Sequence, residues 1–367
     1  MNILEGVSTR MTRVAVIHTA PQFLDMEATL TKIRVMTASA VDGGAELVVF
    51  GESFIPGFPL WNMVHAPIDQ HEFYRQVFEN AVTVPGATVE QLAELSAMHN
   101  VILSIGVTEK ARTSTASMWN TNLIFGSNGA LINHRRKLVA TWAEKLTWAM
   151  GDAAGLEVLP TGVGRIGMLI CGENFNTLAR YALIAGGEQI HLASYPPAWP
   201  VSRGLGGYNI TEAIRVRAAA HCMEGKVFSV VAGCLLDDYA IDIISGGSPE
   251  IDQLLRNGPQ GASMILGPGG ECLAGPLVGQ EGILFADLDL QEIVGQKELH
   301  DLAGHYNRSD VFRLSIDRSR HEILIAEREA QGFSPLQTHT DGSHREAGVG
   351  APVAGQQDVV RGSVVVN

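Results

Sequence analysis

The chain has 367 residues, of which 46% are hydrophobic and 18% charged, so it can bury a large core. Its formal net charge of −13 at pH 7 argues against nucleic acid or an anionic membrane as a main partner, because both attract a clustered basic surface. The basic run His134-Arg135-Arg136-Lys137 is too short to form such a surface.

Cysteine use and the N-terminal sequence indicate a cellular compartment. The four cysteines show no CxxC spacing, and the chain is too long for a small disulfide scaffold. The first twenty residues lack the pattern of a signal peptide, and no apolar run has the length of a membrane span. We therefore expect reduced thiols, a cytoplasmic location and no membrane partner.

Hydrophobic periodicity predicts the secondary structure. In chain order it predicts a strand at 12–20, a helix at 25–42, a strand at 45–53, a helix at 87–99, a strand at 101–109, a hairpin at 120–137, a strand at 163–170, a helix at 176–186, a strand at 189–197, a helix at 210–224, a strand at 226–236, a hairpin at 263–276 and a strand at 282–290. Alternating strands and helices predict an α/β protein in which helices cover the sheets.

The composition divides the chain into three parts. We expect a flexible N-terminal extension at 1–11, a single domain at 12–314 and a C-terminal extension at 315–367. From about Ser334 the sequence is rich in Gly, Ser and Gln without periodicity, which is typical of disorder.

Three predicted strands end in chemically different polar residues, namely Glu52, Lys137 and Cys171. Ligands in open α/β folds bind beyond the carboxyl ends of strands, so these side chains could meet in one pocket. Cysteine supplies a nucleophile, glutamate a base and lysine a fixed positive charge. Taken singly, each has a simpler explanation: a strand-end cysteine is most often a small buried hydrophobe, and a glutamate or lysine there usually faces solvent.

The flanking sequences favour a shared site. The segments VVFGESFIPGFPLW, HRRKLVATWAEKLTWAMGD and LICGENFNTLARYALIAGGEQIHLASYPP resemble the three signature regions of the nitrilase, or carbon–nitrogen hydrolase, superfamily. They occur in the order found in that family, and the resemblance extends from about residue 12 to about 314. The segment DLAGHYNRSDVF, at 301–312, resembles one found in the nitrilase branch.

The resemblance implies a four-layer αββα sandwich and a Glu-Lys-Cys triad carried by Glu52, Lys137 and Cys171. It assigns a fourth catalytic position to Glu144. It further implies a small-molecule nitrile substrate, no metal or organic cofactor, and a homo-oligomer built from dimers, with larger spirals in some members.

This chain departs from the family pattern at two positions. Gly172 follows the cysteine where many nitrilases have Trp, and Ala140 stands where many have Pro. Neither change removes a catalytic group, but Gly172 would alter the wall beside the nucleophile. The substrate size of Trp-bearing relatives therefore does not transfer to this chain.

The region after Cys171 suggests how the thiol is activated. A nearby lysine and the N-terminus of the helix at 176–186 are expected to lower the pKa of Cys171. Gly172, without a Cβ, is expected to make the sharp turn, and Asn174 or Asn176 to cap the helix. Glu173 is expected either to pair with an arginine as a turn residue or to serve the site.

Other residues receive weaker assignments. Substrate-binding candidates are Trp61, Gly172, Tyr195 and Trp199. Cys222, Cys234 and Cys272 are expected to be inert, and His65, His71 and His305 lack a metal-ligand spacing. His191 alternates within a strand and is interpreted as a satisfied core or dimer-contact histidine.

The leading hypothesis is a nitrilase that forms a carboxylic acid and ammonia. An amidase with the same triad is the main alternative, and a cyanide hydratase or dihydratase is a third. A non-catalytic assembly protein would be expected to have lost one of the three triad residues, and none is lost.

Overall fold

The computed structural model describes residues 11–200 and 208–320. Two mixed sheets form its centre. The first contains β1 (Thr12–His18), β2 (Leu47–Val49), β3 (Val82–Thr83), β4 (Ile102–Lys110), β5 (Met118–Phe125), β6 (Leu131–Arg136) and β13 (Gly282–Leu288). The second contains β7 (Leu159–Thr161), β8 (Gly164–Ile170), β9 (Ile190–Ser194), β10 (Phe228–Ala232), β11 (Ser263–Leu266) and β12 (Cys272–Leu277).

Nine α-helices surround the sheets in the part of the chain that the structure describes. They are α1 (Met26–Asp42), α2 (Trp61–Val64), α3 (His71–Asn80), α4 (Ala87–His99), α5 (Thr177–Ala185), α6 (Ile210–Gly225), α7 (Asp238–Ser245), α8 (Pro249–Asn257) and α9 (Glu292–Leu299). Within these same residues, no helix combines the length and apolarity needed to cross a membrane.

The strand order places several carboxyl ends at one edge of each sheet. The first sheet runs β13-β1-β2-β4-β5-β6, with β3 beside β4, and the second runs β12-β11-β10-β9-β8-β7. Strands β1, β2 and β4 are parallel, and so are β8, β9 and β10. Because β5 is antiparallel to both β4 and β6, β6 ends at the same edge as β2.

Alternation along β1 explains why the sheets stack. Val14 and Val16 belong to the core between the two sheets, whereas Ala15 and Ile17 belong to the core beneath α1 and α4. Successive side chains of a strand point to opposite faces, so an apolar residue at every position produces a strand buried on both faces.

The second sheet is covered in the same way. Ile214 and Cys222 of α6 belong to the same hydrophobic cluster as Val230 of β10, and Leu183 of α5 packs with Leu169 of β8. The layers are therefore helix, sheet, sheet and helix, and the predicted αββα sandwich is confirmed.

The sequence located the central elements well. The helix predicted at 87–99 is α4 with those bounds, and Asp25 caps α1 through the Ala28 N–H. The strand predicted at 45–53 is shorter, since β2 ends at Val49 and the chain then leaves the parallel pairing. Helices α2, α3, α7, α8 and α9 are not among the predicted elements; α3 and α8 are rich in polar residues, and each buries a single side chain. The expectations for residues 1–10 and for the chain beyond 320 lie outside the described residues.

Candidate active site

The three strand-end residues lie together. The ammonium Nζ of Lys137 donates to Glu52 Oε1 at 2.8 Å and to Glu144 Oε2 at 2.6 Å. The Cys171 sulfur and carboxylate oxygens of Glu52 and Glu144 all lie within 4.8 Å of one another. The structure thus brings together the four residues predicted as catalytic: three follow the ends of β2, β6 and β8, and Glu144 lies in the 3-10 turn Trp142–Leu146.

One oxygen of Glu52 is fixed, and the other is free. The amide nitrogen Nδ2 of Asn120 donates to Glu52 Oε1 at 2.7 Å, the same oxygen that Lys137 contacts. Glu52 Oε2 is buried and has no hydrogen-bond partner among the described residues. Sequence reasoning missed Asn120, although a polar residue in the fully buried strand β5 is a signal that could have identified it.

Glu144 is fixed by its own turn. The backbone N–H of Thr141 donates to Glu144 Oε2 at 2.8 Å, and the two residues form a capping box at the start of the turn. The carboxylate is therefore held at one oxygen by two donors, Lys137 and Thr141, in a rigid local structure.

Burial dominates the electrostatics of this cluster. It raises the pKa of Glu52 to about 7, although Lys137 opposes the shift. Burial also opposes the charge on Lys137, but Glu144 and Glu52 outweigh it and raise the pKa of the ammonium well above its usual value. One stable cation therefore neutralises part of the charge of two carboxyl groups.

The expectation of a lowered pKa for Cys171 is wrong. Burial and the neighbouring Glu52 raise the pKa of the thiol well above its usual value, and Lys137 only partly compensates. A thiolate would add a further negative charge to a buried site that holds two carboxyl groups and one cation. The thiol consequently stays protonated until a base removes its proton.

Left-handed backbone occurs at three residues of this region. Cys171 has φ 45°, Ser53, next to Glu52, has φ 46°, and Trp142, at the start of the Glu144 turn, has φ 47°. Such conformations cost about 1–3 kcal/mol each for ordinary residues and cluster at active sites, where the surrounding contacts over-determine them.

The sharp turn expected at Gly172 is made instead by Cys171. Gly172 is required for another reason: a Cβ at this position would lie 2.5 Å from Thr141 Oγ1. The missing side chain allows the Glu144 turn to approach the backbone beside the nucleophile.

The residues after Gly172 have structural partners. Glu173 pairs with the buried Arg135 at 2.8 Å and accepts from the backbone N–H groups of Leu138 and Ile170. Asn176 caps α5 by accepting from Leu178 and Ala179, as one of the two predicted alternatives.

A cavity of about 640 Å³ leads to the thiol, and three of the four predicted substrate-binding residues line it: Gly172, Tyr195 and Trp199. Its wall is largely apolar and aromatic. The aromatic lining residues that sequence reasoning missed are Trp142, Phe175 and Tyr208. Trp142 and Phe175 occur within the recognised motifs, which is the signal that could have identified them.

Trp61 does not line this cavity. Its ring is fully buried, stacks on Phe73 at 5.2 Å between ring centroids and meets Phe23 edge-on. Its position after a strand end predicts that it faces the pocket. Trp61 is instead the first residue of α2, and this helix directs the ring into a separate aromatic core.

The remaining candidates are structural. Cys222 lies buried in α6, and burial raises the pKa of its thiol, as it does for Cys234. All four cysteines are free. His191 is buried and hydrogen-bonded, in agreement with its interpretation as a satisfied core histidine.

The chain shares its fold with solved structures of other proteins. It is similar to the crystal structure of a carbon–nitrogen hydrolase from Helicobacter pylori G27, with a TM-score of 0.65 and 18% identity. The similarity covers 83% of this chain and 97% of that one.

Sequence comparison identifies the family. Residues 13–298 match the model of the carbon-nitrogen hydrolase family. A nitrilase of Paraburkholderia phymatum is 34% identical over 84% of this chain and 87% of its own length. An aliphatic nitrilase of Rhodococcus rhodochrous is 31% identical over 86% of this chain and 85% of its own length. The chain belongs to the carbon–nitrogen hydrolase family.

Proposed function

We propose that this enzyme is a nitrilase that hydrolyses an organic nitrile to the carboxylic acid and ammonia. The observation that carries the proposal is the free oxygen of Glu52 beside a buried, protonated thiol at the inner end of the cavity. The 34% identity to a nitrilase over most of both chains supports the same reaction.

The first step forms a carbon–sulfur bond. Glu52 removes the thiol proton as Cys171 attacks the nitrile carbon, so the negative charge passes to the substrate nitrogen. That nitrogen takes the proton back from Glu52, and the product is a covalent thioimidate. Since Glu52 has a pKa of about 7, it can both accept and return a proton near neutral pH.

Two water molecules complete the reaction. The first, activated by Glu52, adds to the thioimidate carbon, and ammonia leaves to give a thioester. The second releases the carboxylic acid and returns the proton to sulfur. Lys137 stabilises the charge that develops in each addition, and Glu144 positions Lys137 and assists proton transfer.

The surroundings suggest the remaining features of the enzyme. The apolar, aromatic wall of the cavity suits an uncharged organic group next to the nitrile. We further propose a cytoplasmic homo-oligomer with reduced thiols that needs no metal or organic cofactor and binds neither nucleic acid nor membrane.

The test is ammonia and acid release from a panel of nitriles, run beside the matching amides. Cys171→Ala should abolish product formation, while Cys272→Ala, which changes the exposed cysteine, should leave it intact. Turnover of amides alone would assign the chain to the amidase alternative. If the folded protein releases ammonia from neither nitriles nor amides, the result would contradict the nitrilase and favour the non-catalytic alternative.

A further inference from the structure

A second buried cluster of ionisable side chains lies behind the nucleophile. It consists of Glu188, just before β9, His191 in β9 and His221 in α6, all at most 1% exposed. Glu188 Oε2 lies 3.1 Å from His191 Nδ1, and Glu188 Oε1 forms a short hydrogen bond with His221 Nε2. The mechanism above uses none of these residues.

This cluster reaches the nucleophile through Asn174. The other ring nitrogen of His191, Nε2, lies 2.9 Å from Asn174 Oδ1. Asn174 Nδ2 donates to the carbonyl oxygens of Cys171 at 3.0 Å and Leu169 at 3.4 Å. A continuous hydrogen-bonded path therefore ends on the backbone of the residue with φ 45°.

The hydrogen bonds fix the orientation of the Asn174 amide. Because its nitrogen faces two carbonyl oxygens, its own oxygen must face His191, and His191 Nε2 must carry a hydrogen. The opposite nitrogen of His191 faces a carboxylate oxygen. An ionised Glu188 beside a neutral His191 would therefore leave one of these contacts without a hydrogen.

An ionised Glu188 and two neutral imidazoles together contain one proton fewer than these hydrogen bonds require. Burial, reinforced by the adjacent His221, lowers the pKa of His191 to about 4, and the two imidazoles outweigh burial and lower the pKa of Glu188 to about 2. Neither group alone retains this proton, so the two flanking oxygens, Glu188 Oε2 and Asn174 Oδ1, must stabilise it on His191. The structure makes room for the carboxylate: a Cβ on Gly167 of β8 would lie 2.0 Å from Glu188 Oε2. Gly167, which has no side chain, thus leaves the space on the neighbouring strand that the carboxylate occupies.

We propose that Glu188, His191 and Asn174 are positioning residues that hold the Cys171 backbone in its left-handed conformation through a proton shared between Glu188 and His191. Loss of the Glu188 contact would leave the His191 ring without the partner that orients it, so the Asn174 amide would lose its anchor and the backbone at Cys171 could relax. The sulfur would then move relative to Glu52, and displacement of a reacting atom by about 1 Å can lower a rate about 100-fold.

Two substitutions at Glu188 separate this proposal from a general packing role. In Glu188→Gln the amide nitrogen can donate to His191, and the amide oxygen can accept from His221, so every hydrogen bond survives without a shared proton. Glu188→Met has a similar shape and no hydrogen bonds. We expect Glu188→Gln to keep kcat within about threefold and Glu188→Met to lower it about 10- to 100-fold at unchanged KM.

The experiment uses the full chain and two readouts. Turnover of the best nitrile gives kcat and KM, and this readout rests on the proposed function. The rate of Cys171 alkylation by iodoacetamide, followed by mass spectrometry, does not require nitrile turnover. It should fall in Glu188→Met and His191→Phe, and stay near the unaltered rate in Glu188→Gln. Thermal unfolding shows that each variant is folded.

His65→Phe is the matched control for His191→Phe, because His65 is a partly buried histidine that contacts the Ile244 carbonyl away from the site. Equal rates for Glu188→Met and Glu188→Gln, whether both high or both low, would overturn the proposal. A stoichiometric metal ion in the purified protein would overturn it as well, since the same three side chains could ligate one. If the protein does not turn over nitriles but the alkylation rates follow the expected pattern, the nitrilase function would be rejected and the positioning role of Glu188, His191 and Asn174 would stand.

Discussion

The chemistry of single residues in this site follows from an excess of acidic over basic side chains. Lys137 is the cation, and it faces Glu52 and Glu144 at hydrogen-bond distance in a water-poor interior. Adding a thiolate would leave two uncompensated negative charges, so the thiol proton stays on Cys171 in the resting enzyme. Glu52 suits the role of general base because its pKa of about 7 places its proton uptake near neutral pH.

The pH dependence of kcat/KM should report Glu52. The base works only when ionised, so the rate should fall as pH drops through about 7. Stopped or continuous ammonia assays between pH 5 and 9 (roughly the range that brackets this pKa) would measure the acidic limb. A limb near the ordinary pKa of a solvent-exposed carboxyl group would contradict the buried environment described for Glu52.

Substitutions of the two neighbours should move that limb in opposite directions. The cation of Lys137 lowers the pKa of Glu52, and the carboxylate of Glu144 raises it. Lys137→Met should therefore shift the acidic limb to higher pH, and Glu144→Gln should shift it to lower pH. Lys137→Met should also cost about 10²–10³ in kcat, the usual effect of removing one electrostatic donor.

The two pH–rate profiles provide their own control, because each variant removes one charge from the same cluster. Shifts in the same direction would show that the limb reports a different group from Glu52.

At the scale of elements, Glu109 joins β4 to its neighbours on the sheet edge that carries Lys137. Its carboxylate accepts from Thr121 of β5 at 2.7 Å, from His134 of β6 at 2.8 Å and from Arg136 of β6 at 2.6 Å. Since Lys137 follows Arg136 directly, this cluster fixes the end of β6 from which the lysine extends.

Glu109 should make stability depend on pH. Burial opposes its charge, but hydrogen bonds from His134 and Arg136 outweigh burial and lower the pKa to about 2. A lowered folded-state pKa contributes stability above about pH 4.5, and this contribution is lost as pH falls toward 2. Glu109→Gln should cost about 3 kcal/mol of unfolding free energy at pH 7, with a smaller cost below pH 4.5 (about the unfolded pKa).

Urea unfolding of both proteins at neutral and acidic pH would measure this difference. Glu79→Gln, on the exposed surface of α3, is the control and should show no measurable change. A constant difference across the pH range would indicate lost packing rather than a lost charge.

At the scale of the whole molecule, α5 and α6 present apolar side chains to solvent. Leu178 is 62% exposed, Val216 48% and Met223 56%, while the opposite faces of both helices pack on the second sheet. Exposed apolar patches commonly mark protein–protein contacts. Pairing of two copies through these helices would form the dimer that the family resemblance implies.

The triple variant Leu178→Glu, Val216→Glu and Met223→Glu should dissociate that dimer, because it would place like charges opposite one another and remove the apolar contact between the helices. Sedimentation velocity would detect the change to a 39.3 kDa monomer. Met98→Glu, which changes an exposed apolar residue of α4, should leave the assembly intact. A monomeric unaltered protein, or an oligomeric triple variant, would contradict this interface.

Local sequence determined a large part of this protein. The apolar runs of β1 and β8 and the periodicity of α1 and α4 depend on neighbours in the chain, so their positions were predictable. The strand-end positions of Glu52, Lys137 and Cys171 were equally visible. The resemblance to a family, not periodicity, supplied Glu144 and the αββα arrangement.

Tertiary structure decided what those residues can do. The raised pKa of the Cys171 thiol, the free oxygen of Glu52 and its contact with Asn120 all depend on groups distant in sequence. Trp61 faces a separate core for the same reason. A pattern of neighbours specifies which side chains are buried, but burial energies, pKa values and hydrogen-bond partners arise only when distant segments come together in space.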